Sequence, residues 1–170
     1  MPGTKTITPF TAQLVTFETD LSPEQVVSRL DEQLRRPDSA RLIPLLSSAT
    51  SKDALEKGLK EISQGNDFMY FLSMQHDTWL KLYDDNAPFI AVYTIGNPTI
   101  AQGIMKHDRR AAYNIPPRLL VLEKEDRTGT QLIYHLPSSV MVLDDSNTEL
   151  TANVKALDKK LDQLMVEVTK

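Results

Sequence analysis

The sequence predicts an α+β fold in which helices cover a mostly antiparallel sheet of about five to six strands. A strand-like segment and a helix come first, strand-like segments fill the middle of the chain, and a long amphipathic helix closes it. Two of the middle segments, FIAVYTI and LLVL, are apolar without alternation, which is typical of strands buried on both faces. These two observations carry the fold prediction.

The chain opens with a strand followed by a helix. The segment TAQLVTFETD alternates with a period of two, which indicates a strand. Ser22 then offers an N-cap, Pro23 suits the first helical turn, and Gln25 completes a capping box. The apolar stripe that follows predicts a helix that ends at about Arg36.

Residues 37–66 are predicted to form an added connection and one helix. Two prolines and several serines interrupt the helical pattern, although a short apolar patch occurs at residues 42–46. An apolar stripe then predicts a helix from about Lys52 to Ser63, and Gly65 lies just past its end, where a left-handed residue is favoured. No linker is long enough to divide the chain, so we expect a single domain over residues 1–170.

The middle of the chain is predicted to form strands. The strand-like segments are FMYFLSMQH, TWLKLYD, PFIAVYTIG, RLLVLEKED and TGTQLIYHLP. The stretch EDRTGT predicts a hairpin turn between the last two segments. From Asn97 to about Asp108 the apolar residues return at helical spacing, so a helix is expected before the fourth segment.

The C-terminal segment has the clearest helical pattern. Its apolar residues step by four, three, four, three and four. They are Leu150, Val154, Leu157, Leu161, Leu164 and Val168. Ser146 and Glu149 predict a capping box at its start. We expect this helix to lie across the sheet as its main cover.

Composition excludes several classes of function. The chain has 170 residues and no cysteine, which removes disulfides and thiolate chemistry. A net charge of −4 lacks the basic excess that binds nucleic acid. No apolar run approaches the ~18 residues that span a bilayer, so no membrane partner is expected and a cytoplasmic protein is predicted.

Two long stretches resemble the domain of unknown function 302 family, whose fold is called TT1751-like. The stretches are SMQHDTWLKLYDDNAPFIAVYTIGNPTIAQGIM and AAYNIPPRLLVLEKEDRTGTQLIYHLPSS, within residues 68–140. The positions that match the family pattern are His76, Gly96, Asn97, Pro98, Pro116, Tyr134 and Pro137. The resemblance implies a β-α-β(4)-α order related to the TATA-binding-protein-like and helix-grip folds, and a homodimer, without a settled activity. Two features depart from the family pattern. Residues 37–66 are an added segment, and the stretch directly after His76 lacks the glycine that is common there.

The IGNP motif has two interpretations. Gly96 permits a backbone angle or a close approach that a side chain would block, Asn97 is a good N-cap, and Pro98 suits the first helical position, so a simple turn accounts for all three. The same geometry points helix N–H groups at the end of a strand, where they could bind a carboxylate or phosphate. Gly96 and Asn97 are therefore candidate ligand-binding residues.

Three tyrosines and two basic residues complete the candidate site. Tyr70, Tyr93 and Tyr134 lie in strand-like runs, where each is either a core tyrosine or the wall of a pocket. Arg118 heads an apolar strand and His76 ends one, so these two are candidate polar anchors. The alternative for His76 is a hydrogen-bonded structural role. The paired His–Asp dipeptides lack converging ligands, so no metal site is expected, and without a phosphate-loop or dinucleotide glycine pattern no cofactor is expected either.

Three functions remain open. The first is a small-molecule binding domain whose apolar, tyrosine-lined pocket takes a small apolar or carboxylated molecule. The second is a cofactor-independent enzyme that uses His76 as general acid or base, with Tyr134 or Arg118 stabilising negative charge. The third is a structural homodimer without a ligand. Because two strands place apolar side chains on both faces, we expect a homodimer that a charge at Val92 or Val121 disrupts, in association or in folding.

Overall fold

The protein is an α+β structure built on one five-stranded antiparallel sheet. The computed structural model describes residue 1 and residues 3–170. The strands are β1 (Leu14–Thr19), β2 (Met69–Gln75), β3 (Ile90–Gly96), β4 (Arg118–Glu123) and β5 (Thr130–His135). Their order in the sheet is β1-β5-β4-β3-β2, and every neighbouring pair is antiparallel. The predicted α+β class with an antiparallel sheet is confirmed, whereas the relation to the TATA-binding-protein-like and helix-grip folds stays a prediction.

Eight α-helices and one 3₁₀ helix connect and cover the strands within the described residues. The first four helices are α1 (Pro23–Gln33), α2 (Arg36–Ser39), α3 (Leu42–Ser48) and α4 (Lys52–Ser63). The others are α5 (Asp77–Leu80), α6 (Pro98–Met105), α7 (Pro137–Met141) and α8 (Thr148–Thr169), with the 3₁₀ helix at Arg109–Asn114. In the described part of the chain, every helix is too short or too polar to cross a membrane.

Helices α1 and α8 bury one face of the sheet. Along β3, for example, Ala91, Tyr93 and Ile95 are buried and alternate with less buried neighbours. All six apolar residues that define the predicted stripe of α8 are buried in the same core. The long C-terminal helix therefore covers the sheet as its periodicity predicts.

The other face of the sheet, here called the outer face, points away from α1 and α8. Its middle forms the central row, made of Met74, Val92, Leu120 and Ile133, which pair across four strands. Met74 is 57% exposed and the other three are half-buried. At one end of this face lies the end row, made of Leu72, Thr94, Arg118, His135 and Leu14. The outer face is thus apolar in its middle and mixed at this end.

The added segment contains more helix than the sequence indicates. The stretch expected to be a connection forms two short helices, α2 and α3, and its prolines, Pro37 and Pro44, each lie in the first turn of a helix, where proline is tolerated. Helix α4 has the expected bounds. Gly65 has a positive φ, of 92°, as expected for a residue just past the end of a helix. Leu42, Leu59 and Ile62 pack with Met69 in a small second core. This core attaches the segment to the start of β2.

Two local predictions are wrong. The segment TWLKLYD is not a strand, because residues 77–80 form α5, whose Asp77 side chain accepts hydrogen bonds from the Ile90 N–H at 3.3 Å and from Lys81 Nζ at 3.1 Å. The cap of α8 is Asn147 rather than Ser146, since the Asn147 side chain accepts from the Leu150 N–H at 2.9 Å. Both errors concern a polar side chain that binds a backbone N–H.

Candidate ligand-binding site

An apolar cavity of about 260 Å³ lies where β3 ends and α6 begins. Its walls come from α3, the start of β2, α6, the segment before β4, and α8. The lining residues are Leu46, Phe68, Phe71, Gly96, Asn97, Pro98, Ile100, Ala101, Ile104, Met105, Ile115, Pro116, Pro117 and Leu157. Asn97 supplies the single polar side chain among these described residues. Such a concave, apolar and partly open surface is the usual architecture of a small-molecule site.

Gly96 brings two walls of this cavity together. A Cβ atom at this position would lie 3.1 Å from the Cβ of Pro116 and 3.5 Å from a ring carbon of Phe71. The absence of a side chain therefore lets the segment before β4 approach the end of β3 closely. Of the two roles that the sequence allows for Gly96, an unusual backbone angle and a close approach, the structure shows the close approach.

Asn97 fixes the start of α6 and uses its amide in doing so. Its side-chain oxygen accepts a hydrogen bond from the Thr99 N–H at 2.9 Å. Its side-chain nitrogen donates to the Asp67 carbonyl oxygen at 3.1 Å. Pro98 has no N–H to offer. The amide dipoles near the cavity are therefore largely satisfied, which leaves little to bind an anion.

Tyr70 and Tyr93 lie together outside the cavity, around Arg36. Their rings meet edge to face with centroids 5.9 Å apart, and the Arg36 guanidinium lies 4.6 Å from the centre of the Tyr70 ring. Arg36 also forms an ion pair with Asp31 at 2.8 Å. Burial and the negative charge of Asp31 raise the pKa of Tyr93 well above its usual range. This cluster joins α1 and α2 to β2 and β3.

Tyr134 is buried beneath α8. Its hydroxyl donates a hydrogen bond to a carboxylate oxygen of Asp162 at 2.6 Å. Burial, and then this hydrogen bond, raise the pKa of Tyr134 well above its usual range. The contact ties β5 to the C-terminal helix, as expected for a core tyrosine with a satisfied hydroxyl.

His76 and Gly96 lie at opposite ends of the β2–β3 pair. Gly96 pairs with Met69 at one end, and His76 follows Gln75 at the other. A rise of about 3.3 Å per residue separates the two ends by roughly 20 Å. The His76 ring contacts Trp79 edge to face at a centroid distance of 6.0 Å. His76 is therefore remote from the cavity.

Arg118 projects from the outer face, since it pairs with Thr94 while its neighbour Leu119 is buried on the helical side. It lines a smaller concavity of about 130 Å³ that also contains His135 and Tyr113. Arg118 and Tyr134 belong to opposite faces of the sheet. The structure therefore does not bring His76, Arg118 and Tyr134 into one catalytic group.

The family model described as "Domain of unknown function DUF302" matches residues 46–168. The chain belongs to this family. The crystal structure of an uncharacterized conserved DUF302 protein from Bacillus stearothermophilus superposes with a TM-score of 0.64 at 13% identity. That match covers 91% of this chain and 97% of the other, and at this identity it establishes the fold alone. No curated protein matches the chain.

Within this DUF302 fold, the sequence identified one part of the cavity and missed another. Gly96 and Asn97 lie in the lining, and the helical apolar residues of α6 form one wall. The walls contributed by Phe71 and Leu46 were missed. A β-bulge lies in β2 between Tyr70 and Leu72, where Phe71 interrupts the register, and no period-two pattern reveals such an irregularity.

Proposed function

We propose that this DUF302 chain is a small-molecule binding domain whose cavity takes a small, neutral, apolar molecule. The observation that carries the proposal is the cavity of about 260 Å³ between α6, the end of β3 and the added segment. Thirteen of the fourteen residues that line it are apolar or glycine, and several of them are only half-buried. Covering these side chains with an apolar ligand removes their surface from water.

The lining argues for a neutral ligand rather than a carboxylated one. No lysine, arginine or histidine lies among the described residues of the lining. The Asn97 amide is engaged by Thr99 and Asp67, so it offers no free donor pair to a carboxylate. Moving an ionised carboxylate into such a surface without a partner is strongly unfavourable. A ligand without charge avoids this cost.

Substitutions at neighbouring positions of α6 test the location of the site. Ala101 lines the cavity, whereas Gln102 is exposed one residue further on. We expect 1-hexanol to shift the backbone amide signals of Phe71, Gly96 and Ile104 saturably, with a Kd on the order of 1 mM. Ala101→Phe fills the cavity and is expected to raise that Kd at least ~10-fold, a change of about 1.4 kcal/mol.

Gln102→Phe is the matched control, because it adds the same ring on the exposed side of the same helix. It should leave the Kd for hexanol within about twofold of wild type, well below the tenfold step that 1.4 kcal/mol represents. Melting temperatures of both variants verify that each is folded. Equal weakening by the two substitutions, or no weakening by either, would place binding elsewhere.

A second candidate function is a homodimer formed through the outer face. The central row supports it, because Met74 is 57% exposed and lies beside three half-buried apolar side chains. Mixed polar and apolar residues flank this row, which is the arrangement of an apolar interface core and a polar rim. A second copy of the chain would cover the row with an identical surface.

Aspartate substitutions at two valines distinguish an effect on dimer association from an effect on folding. Val92 lies in the central row, while Val121 is 0% exposed beneath the helices. We expect Val92→Asp to give a folded monomer and Val121→Asp to lose the folded state, because only the second charge is buried in the core. Light scattering together with circular dichroism makes the distinction. A folded wild type that stays strictly monomeric at micromolar concentration contradicts the dimer.

A further inference from the structure

A second concavity, which shares Pro116 and Pro117 with the cavity beside α6, lies at the end row of the outer face. Its volume is about 130 Å³, and it is formed where the strands meet the 3₁₀ helix and α7. Thr94, Arg118 and His135 come from three adjacent strands, and Tyr113 comes from the 3₁₀ helix. Val140 and Met141 of α7 supply buried apolar surface.

The polar groups of this concavity lie next to one another on rigid elements. Thr94 pairs with Arg118 across β3 and β4. Leu119 pairs with Tyr134, so the residues beside them, Arg118 and His135, are also opposite each other. Directly opposite side chains in an antiparallel pair have Cβ atoms about 4.5–5.5 Å apart. One small ligand can therefore contact all three side chains.

The charge of the concavity is positive although the chain carries a net charge of −4. Arg118 forms neither a salt bridge nor a side-chain hydrogen bond with any residue in the described ranges. None of the described residues that line the concavity is acidic. Among the other seven arginines, Arg35, Arg36, Arg41, Arg110 and Arg127 each have an acidic partner, whereas Arg29 and Arg109 do not within the described residues. Arg118 thus keeps its donors available in a concave, partly apolar setting.

We propose that this concavity binds a small carboxylate. The planar guanidinium of Arg118 can hold both oxygens of a carboxylate through two parallel N–H donors. The hydroxyl of Thr94 and the ring of His135 flank that position, and Val140 and Met141 contact a short apolar tail. The small volume and the mixture of polar and apolar lining suit a short organic acid better than a bulky phosphate ester.

Binding of propionate, followed by ¹H–¹⁵N NMR, tests the proposal. Sodium propionate should shift the Arg118 side-chain N–H and the backbone amides of Thr94 and His135 saturably, with a Kd on the order of 1 mM. Sodium chloride at equal ionic strength should not. Amide signals of Phe71 and Ile104 report on the other cavity, so failure at one site is distinguishable from failure at the other.

Two arginine substitutions localise the site. Arg118→Gln should raise the Kd for propionate at least ~10-fold, whereas Arg41→Gln, which removes the same charge from the added segment, should leave it within about twofold. Equal shifts with chloride, or an unchanged Kd in Arg118→Gln, would overturn the proposal. Tighter binding of inorganic phosphate than of propionate would overturn the assignment to a carboxylate.

Discussion

The hydroxyl groups of two buried tyrosines link strands of the sheet to the covering helices. Tyr93 lies among Asp31, Arg36 and Tyr70, and Tyr134 donates to Asp162. Burial and a neighbouring carboxylate both favour the protonated form, so each phenol resists ionisation in the folded chain. The same two residues were candidates for a pocket wall, and the structure places each of them in a satisfied polar contact.

The raised pKa values of Tyr93 and Tyr134 predict a loss of stability in alkaline solution. Below about pH 10 both phenols are protonated in the folded and the unfolded chain, and their contribution is fully present. Above about pH 10 only the unfolded chain releases these protons, so the free energy of unfolding falls by about 1.4 kcal/mol per pH unit for each tyrosine.

Urea unfolding between pH 9 and pH 11 measures this effect. At the upper end of this range, near pH 11, Tyr93→Phe and Tyr134→Phe are each expected to reduce the slope of the unfolding free energy against pH by an amount that approaches one proton. Tyr113 is 93% exposed, so Tyr113→Phe removes a hydroxyl from the surface and should leave the wild-type slope as it is. An identical slope in all four proteins contradicts the assignment of these shifts to the buried phenols.

Helix α6 is the element that joins the fold to the proposed ligand site. Asn97 caps its first turn, and Gly103 lies within it with no atom inside 4 Å of an added Cβ. Asn97→Ala removes the cap and should lower the free energy of unfolding by about 1 kcal/mol. Gly103→Ala should raise it by roughly 0.5–1 kcal/mol, because alanine loses less backbone entropy in a helix.

The pair of α6 variants contains its own control, since the two changes act on one helix in opposite directions. Chemical denaturation of both proteins measures the effect. Stabilisation by Asn97→Ala would show that the Asn97 contacts to Thr99 and Asp67 do not hold the helix start. Destabilisation by Gly103→Ala would show that the space around Gly103 is filled.

The sequence predicted the elements best where periodicity and caps agreed. Helix α4 has the predicted bounds of Lys52 and Ser63, and the capping box of Ser22 and Gln25 is present in α1. The strand predicted after residue 77 failed because Asp77 binds a distant N–H, that of Ile90, and such a long-range contact has no local signal. Of the two short helices of the connection, α3 is stabilised by apolar packing and α2 by the Ser39 hydroxyl, which donates to the Leu34 carbonyl and accepts from the Tyr70 N–H; the local pattern shows neither.

At the scale of the whole molecule, the site was less predictable than the fold. The cavity joins Leu46, Phe71, Pro116 and Leu157, which are far apart in the sequence. The alternation of apolar residues in a strand predicts the face of the sheet on which a residue lies. Helical periodicity predicts which residues lie on the buried side of a helix. Neither pattern predicts which apolar residues meet at the end of a sheet. The sequence therefore predicted the turn at Gly96 and Asn97 but not the cavity walls around it.

The two proposed sites differ in the charge of their linings. The cavity beside α6 lacks charged lining residues in the described chain, whereas the end row of the outer face contains Arg118 and His135. The α6 cavity is proposed to bind a neutral apolar ligand. A comparison of two ligands that have the same chain length and differ in charge tests this proposal most directly.

Residue-resolved NMR titration with 1-hexanol and with hexanoate is that measurement, since the two ligands have the same carbon chain length and differ in charge. The amide signals of Phe71, Gly96 and Ile104 should respond saturably to hexanol, and hexanoate should bind there at least ~10-fold more weakly, because its carboxylate loses water without gaining a partner. Equal or tighter binding of hexanoate at these residues, or no saturable response to hexanol, would contradict the claim.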